Sequence, residues 1–291
     1  MRRGIVLAGG TGTRLYPITL ATSKQLLPVY DKPMVYYALS VLMLMGIREI
    51  AVITTPGDQP LFRKLLGDGE ALGLSLTYVT QERPDGLAQA YLLTEEFLAG
   101  GPSAMVLGDN LFFGHGLPEV LQRAEQRRSG GTVFGYRVAD PERYGVVTFD
   151  EAGRVTAVEE KPKVPQSSYA VTGLYLFDER APRFAREATP SARGELEITA
   201  VIDRYLQEGS LQVELLGRGY AWLDTGTHDS LLQAGEFIRT VEQRQGMKIG
   251  CLEEIAYRMG FIDRPALLRL AKRFAATEYG RYLRGVADEE P

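Results

Sequence analysis

The chain opens on an apolar run, Gly4–Ala8, that stops at a glycine-rich segment, Gly9–Gly12. A continuous β-favouring run closed by glycine predicts a strand buried on both faces. The same rhythm continues through the first half. A helix is predicted over Pro33–Met45, a buried strand over Ile50–Thr54, a helix over Gln59–Leu66 and a strand over Leu74–Val79. Ala88–Leu98 reads as a helix, and Ala104–Leu107 as a short strand closed by Gly108-Asp109-Asn110. Buried strands alternating with helices imply βαβ units and a mainly parallel sheet covered on both faces.

Past Pro118 the pattern loosens. Strands are predicted at Thr132–Tyr136, Gly145–Asp150, Val155–Glu160 and Ala170–Phe177, the middle two joined as a hairpin around Asp150-Glu151-Ala152-Gly153. Helices follow at Pro182–Glu187 and Ile198–Glu208, then a strand at Gln212–Leu215. A long helix is predicted from His228 to about Gln243, with Leu231, Ala234, Ile238 and Val241 on one face and Thr227 as its cap. The tail, Cys251–Gly285, reads as two or three short helices with Ile255, Leu267, Leu270, Phe274 and Tyr282 as apolar positions. The expected fold is therefore α/β and Rossmann-like, with a mainly parallel central sheet and helices on both faces. Residues 1–243 form the main domain, and 244–291 a C-terminal helical extension packed on it or on a neighbouring subunit.

Composition narrows the function classes. The 291 residues are 45% hydrophobic and 24% charged, which gives ample apolar material for a core. A net charge of −4 argues against a nucleic-acid or anionic-membrane surface, although a site for anionic substrates needs only a few placed cations. Cys251 is the single cysteine, so an intrachain disulfide and a cysteine zinc site are excluded; a small buried apolar role suits it. His115 and His228 lie far apart and form no metal-ligand spacing. The opening Met1-Arg2-Arg3 before an apolar run is too short and too soon interrupted to be a signal peptide. No stretch approaches the roughly 18 apolar residues of a membrane span, and a soluble, cytoplasmic protein is expected.

Candidate chemistry starts at the first glycine-rich turn, Leu7-Ala8-Gly9-Gly10-Thr11-Gly12-Thr13-Arg14-Leu15. A strand running into glycines lets backbone N–H groups approach phosphate oxygens. The segment lacks the Gly-Lys-Ser/Thr of a P-loop, and Leu15 stands where a dinucleotide fingerprint needs its third glycine. Arg14 adds a guanidinium suited to polyphosphate charge; a plain tight turn is the bland alternative. Nearby, Lys24 can supply a second positive charge, and Gln25 a donor and an acceptor for a base edge. Alone, that pair reads as solvated surface, and so does the charged Glu159-Glu160-Lys161-Pro162.

The stretch LAGGTGTRLYPITLATSKQLLPVYDKPMVYY resembles the signature of nucleotidylyltransferases that activate sugar 1-phosphates. The likeness continues through QERPDGLAQAY, VLGDNLFFGHG, ERYGVV, VEEKPKVPQSSYAVTGLY, RGELEIT, YAWLDTGTHDSLLQAGEFI and EEIAYRMGFID, and so covers almost the whole chain. Within that family it is most similar to the members that use dTTP and glucose 1-phosphate. The resemblance implies a triphosphate wrapped by Gly9, Gly10, Thr11, Gly12, Thr13 and Arg14 with Lys24 assisting, and a pyrimidine held by Gln25, Gln81 and Gly86. It implies a Mg²⁺ ion on Asp109 and Asp224, and a sugar phosphate met by Asn110, Tyr144, Gly145, Glu160, Lys161 and Val171. Arg14, Lys24 and Lys161 would be the catalytic cations in a direct in-line displacement without a covalent enzyme intermediate. It further implies a homotetramer with feedback by a dTDP-sugar at a subunit interface, near Gly114, His115, Arg218, Glu254 and Arg258. Ala200 stands where this family leads one to expect an acidic residue. A uridylyltransferase or another member of the family stays open as an alternative, as does a non-catalytic nucleotide-sugar sensor. The sensor reading expects a lost arginine, lysine or metal carboxylate, whereas Arg14, Lys24, Asp109, Lys161 and Asp224 are all present.

Overall fold

In the computed structural model, residues 1–10 and 12–289 are described. The opening apolar run forms β1 (Arg3–Ala8). A ribbon of two-residue strands follows, β2 (Pro28–Val29) against β3 (Lys32–Pro33), and then β4 (Glu49–Thr54), β5 (Ser75–Thr80) and β6 (Ser103–Leu107). Four of these run parallel in the order β6-β1-β4-β5, with Ile5 level with Ala51 and Met105. Alternate side chains leave opposite faces of a strand, and here both faces are covered. Val6, Ala8, Ile50 and Val52 join one apolar cluster with the helix Met34–Leu44; Ile5, Leu7, Ile53 and Met105 join another with Tyr91 and Phe184. That double burial explains why these strands read as unbroken apolar runs.

The second half extends the sheet beyond β6. It supplies β7 (Asn110–Gly114), β8 (Gly131–Arg137), β9 (Gly145–Phe149), β10 (Val155–Glu160) and β11 (Tyr169–Phe177), then β12 (Leu211–Leu216) and β13 (Tyr220–Asp224). β11 runs antiparallel to β6, β8 and β9, while β12 returns parallel to β8. β7 and β13 stand apart as an antiparallel pair, with Asp224 opposite Asn110 and Trp222 opposite Phe112. The sequence pattern predicts neither strand of this pair, nor the helix Leu117–Glu125.

The helix predicted over Ala88–Leu98 is broken. Gln89–Leu93 and Glu95–Leu98 are separate, and the fully buried Thr94 between them turns its hydroxyl back onto the Ala90 carbonyl at 2.7 Å. Such back-bonding bends a helix. The long helix spans His228–Gln245, and Thr227 caps it through reciprocal bonds with Ser230. Three helices follow, Leu252–Arg258, Arg264–Arg273 and Glu278–Asp288. Leu252, Ala256 and Leu270 pack into the same cluster as Val6 and Val52, while Cys251 lies buried with Leu267, Leu283 and Val286. No described helix is long and apolar enough to cross a membrane.

A further tie fastens this tail. Lys32, 2% exposed, places its ammonium 2.8 Å from Glu242, which is 6% exposed. Glu242 also accepts from the Ile249 amide and Lys248, and Asp31 pairs with both lysines. The buried charges thus neutralise one another, as burial requires.

Candidate active site

A cleft of about 660 Å³ opens where the C-terminal ends of β1 and β6 meet the strands β7, β9, β10, β11 and β13. This is the edge of an open α/β sheet at which ligands are bound. Of the residues singled out from sequence, Gly10, Gly12, Thr13, Arg14, Lys24, Gln25, Gln81, Gly86 and Asp109 line it. So do Asn110, Tyr144, Gly145, Glu160, Lys161, Val171 and Asp224. Thr11 lies outside the described residues.

Gly9 is the exception: it is buried behind the wall. A Cβ there would sit 2.0 Å from Oε1 of Gln81, so this glycine makes room for the glutamine. Gly12 has φ 62, the left-handed region that favours glycine, and turns the loop so that Arg14 faces the cleft. The Arg14 guanidinium and the Asp224 carboxylate both come within ordinary contact of where a Cβ of Gly226 would lie.

Two buried amides face the same wall. Ser23 donates its hydroxyl hydrogen to Oε1 of Gln25 at 2.8 Å, which leaves the Gln25 NH₂ as a donor. Gln81 donates through Nε2 to Oε1 of Gln89 at 2.6 Å, which leaves its oxygen as an acceptor. Gly86, at φ 110, lies against the Leu196 backbone so closely that a Cβ would meet its N and O at 2.4 Å. The Leu196 amide donates to the Asp85 carbonyl, and the Leu196 carbonyl accepts from Ala88, so this loop is pinned to the other side of the cleft.

The charged centre is built by the β7–β13 pair. Thr225 donates through its amide and its hydroxyl to the Asp109 carbonyl, which brings Asp109 beside Asp224 although they are distant in sequence. Lys24 reaches Oδ2 of Asp109 at 2.5 Å, and the Asn110 amide donates to Oδ1 at 2.8 Å. Burial works against an ionised Asp109, but the Lys24 ammonium and that amide outweigh it and hold the carboxyl below its ordinary range. Burial lifts Asp224 above its ordinary range; Arg143, 3.5 Å away, pulls it down, and the Asp109 charge pushes it up again. Two adjacent, partly desolvated carboxylates suit a hard cation. Among the described residues no group of three or more His, Cys, Asp or Glu gathers as a metal site.

Asn110 is held from three sides. Its oxygen accepts from Trp222 Nε1 at 2.6 Å and from the Gly173 amide at 3.1 Å, so its main work is to orient Asp109. Trp222 in turn packs edge-on to Tyr144, with ring centroids 5.1 Å apart. Lys161 has φ 43, a conformation that costs a non-glycine residue strain, and its amide donates to the Tyr144 carbonyl. Glu160 accepts from Thr199 at 3.3 Å and from Arg193 at 3.2 Å.

Arg143, Arg193, Glu197 and Thr199 also line the cleft, and no pattern in the sequence set them apart. Arg143, Arg193 and Glu197 lie in charged segments with no periodicity and Thr199 in the first turn of a helix, although the quoted motifs ERYGVV and RGELEIT contain them. Ala200 is not part of the lining; it sits at the start of the helix Ile198–Gln207, beside Thr199. The five residues proposed for feedback divide between two places. Gly114 pairs with Tyr220 at the end of the β7–β13 ladder, near His115 and Arg218. Glu254 and Arg258 pair with each other on the helix Leu252–Arg258, at 2.9 Å.

A glycine loop with its arginine, one carboxylate in the turn before β7 and another at the end of β13, and a lysine after β10 in the same cleft agree with a match of residues 3–241 to the nucleotidyl transferase family model. The chain belongs to the nucleotidyl transferase family. It is 58% identical over 286 residues to glucose-1-phosphate thymidylyltransferase of Xanthomonas campestris pv. campestris, covering 98% of this chain and 97% of that one. The Mycobacterium tuberculosis protein of the same name is 55% identical over 281 residues, 97% of each chain. Among solved structures, a Bacillus anthracis chain proposed to be a glucose-1-phosphate thymidylyltransferase, in complex with sucrose, superposes with a TM-score of 0.76. It is 42% identical and covers 82% of this chain and 96% of its own. A UDP-glucose pyrophosphorylase complexed with UDP-glucose gives a TM-score of 0.74 at 25% identity, over 83% of this chain and 99% of that one.

Proposed function

We propose that this enzyme transfers a thymidylyl group from dTTP to glucose 1-phosphate, releasing pyrophosphate and forming dTDP-glucose, a precursor of dTDP-deoxysugars such as dTDP-rhamnose. One observation carries it: a single cleft gathers Arg14, Lys24, Gln25, Gln81, Asp109, Lys161 and Asp224. A phosphate oxygen of the sugar phosphate attacks the α-phosphorus of dTTP, and the bond to the departing pyrophosphate breaks in line. Arg14 and the glycine loop bind the triphosphate, and Lys24 neutralises charge at the α-phosphate. Lys161, with Arg193, holds the sugar phosphate, while Glu160, Tyr144, Gly145 and Val171 shape the sugar side. No side-chain nucleophile is needed, because positioning and charge neutralisation supply the catalysis. The metal is Mg²⁺, held by Asp109 and Asp224, and when bound it supplies Lewis-acid charge neutralisation on phosphate oxygens.

The donor of Gln25 and the acceptor of Gln81 suit the O–N3–H edge shared by thymine and uracil. A single methyl discriminates by only about 1–3 kcal/mol, so UTP is the natural rival substrate. A cytoplasmic homotetramer with feedback by a dTDP-sugar completes the proposal. Pyrophosphate release is measured with glucose 1-phosphate and Mg²⁺ against dTTP, UTP, CTP, ATP and GTP in turn. Preference for dTTP, abolished by chelation, supports the proposal. Preference for ATP or GTP sinks the base assignment; no release with any nucleotide sinks glucose 1-phosphate as the acceptor, and no release with other sugar 1-phosphates either leaves the nucleotide-sugar sensor.

A further inference from the structure

An amide side chain presents a donor at one end and an acceptor at the other, so a site that uses it must decide which end faces the ligand. Behind Gln81 a short chain of bonds makes that decision. Asp85 accepts at Oδ2 from Nε2 of Gln89 at 3.1 Å, and an ionised carboxylate can only accept. This turns the Gln89 oxygen the other way, where it receives the Asp85 amide at 3.3 Å and Nε2 of Gln81 at 2.6 Å. The Gln81 NH₂ is therefore committed to Gln89, and its oxygen, turned away from Gln89, lies against Gly9 in a residue that lines the cleft. If Gln81 flipped, two carbonyl oxygens would face each other at hydrogen-bond distance, with Gln81 only 3% exposed.

We infer that Asp85 and Gln89 are positioning residues which hold the Gln81 oxygen toward the base, and thereby admit a pyrimidine with an N3–H and reject cytosine. The inference rests on the proposal that Gln25 and Gln81 receive the base. Thymine and uracil offer N3–H to the Gln81 oxygen and a carbonyl to the Gln25 NH₂. Cytosine offers an unprotonated N3, which meets that oxygen as acceptor against acceptor. Neither Asp85 nor Gln89 lines the cleft, so both act through Gln81.

The test is the ratio of kcat/KM for dTTP to that for CTP, with glucose 1-phosphate as partner, in the full chain and its variants. Gln89→Lys places a donor-only group beside Asp85 and Gln81, and reverses the Gln81 amide. The ratio is expected to fall by about 10- to 100-fold, the scale of losing one buried polar match and gaining another. Gln89→Glu still accepts from Gln81 Nε2 and is expected to keep the wild-type ratio even if overall turnover drops. Asp85→Asn removes the obligate acceptor, moves the ratio the same way by less, and serves if Gln89→Lys fails to fold. A purely structural role would move both Gln89 variants alike, and that outcome overturns the inference. So does a wild-type ratio in both Gln89→Lys and Asp85→Asn. A wild-type enzyme that prefers CTP or a purine instead overturns the assignment of the base to Gln25 and Gln81, and this inference with it.

Discussion

Replacing Asp109 by asparagine should damage stability and catalysis by separate routes that one further substitution pulls apart. Lys24 has a side chain only 6% exposed, and its ammonium sits 2.5 Å from Asp109, which is 25% exposed. Breaking a fully buried pair by removing one partner costs about 3–5 kcal/mol, because the other charge stays desolvated. Water reaches the Asp109 side of this pair, so roughly half of that, ~2 kcal/mol, is expected here. At roughly 2–4 °C per kcal/mol for a chain of this order of size, the thermal midpoint falls by roughly 4–8 °C. Turnover falls by about 10²–10³, the scale for one charge-stabilising group. The double variant Lys24→Met with Asp109→Asn removes the stranded ammonium and should recover most of the lost midpoint while activity stays low. Calorimetry in chelator, paired with pyrophosphate release in Mg²⁺, reads both quantities. If Asp109→Asn melts like the wild type, or the double variant melts lower than the single one, the buried-pair argument is wrong.

Arg14→Ala should lower turnover by about 10²–10³ with little change in melting, since the guanidinium is exposed and stabilises transferred charge; near-normal turnover removes it from the machinery. Asp224→Asn should raise the melting temperature in chelator yet depress turnover, because the native protein holds this carboxyl above its ordinary range and ionising it costs stability. The same displacement sets a pH signature. Asp224 contributes a loss of stability as pH rises from its unfolded value through its raised folded value. Asp109, held low, contributes stability that is present above its unfolded value and is lost as pH falls through its folded value. Melting curves of the two asparagine variants against pH should show these opposite slopes missing in turn. Gly86→Ala, at φ 110 and against the Leu196 backbone, should weaken dTTP binding by about tenfold or more and cost about 1–3 kcal/mol, seen as a higher KM and a lower midpoint.

The inner strands of the parallel half were legible because they are nearly unbroken apolar runs buried on both faces, as Ile5 to Ala8 illustrates, whereas the edge strand β5 exposes Ser75 and Thr77. The β7–β13 pair was not. Thr225 and Asp109 are 116 residues apart, and nothing local announces that Asn110–Gly114 will pair with Tyr220–Asp224. The closeness of Asp109 and Asp224 is a product of that non-local ladder, so from sequence it rested on resemblance alone. Arg143 and Arg193 escaped notice because a charged residue in a loop has no period to betray it. Asp85 and Gln89 act by the direction of a hydrogen bond, which composition does not record. The helix over Ala88–Leu98 reads as unbroken because helix propensity ignores a hydroxyl, here that of Thr94, that bonds its own backbone.

The chain's single cysteine is also a natural clock. Cys251 is 1% exposed, burial keeps its thiol protonated, and its sulfur lies 3.2 Å from the Tyr279 hydroxyl of the last helix. A thiol reagent in solution reaches it only when the tail helices part from the body. With reclosing fast, the labelling rate is the intrinsic thiol rate multiplied by the fraction of time spent open. The native protein thus carries a built-in measure of how often its C-terminal helices let go, with no label added and no second cysteine to confuse the count.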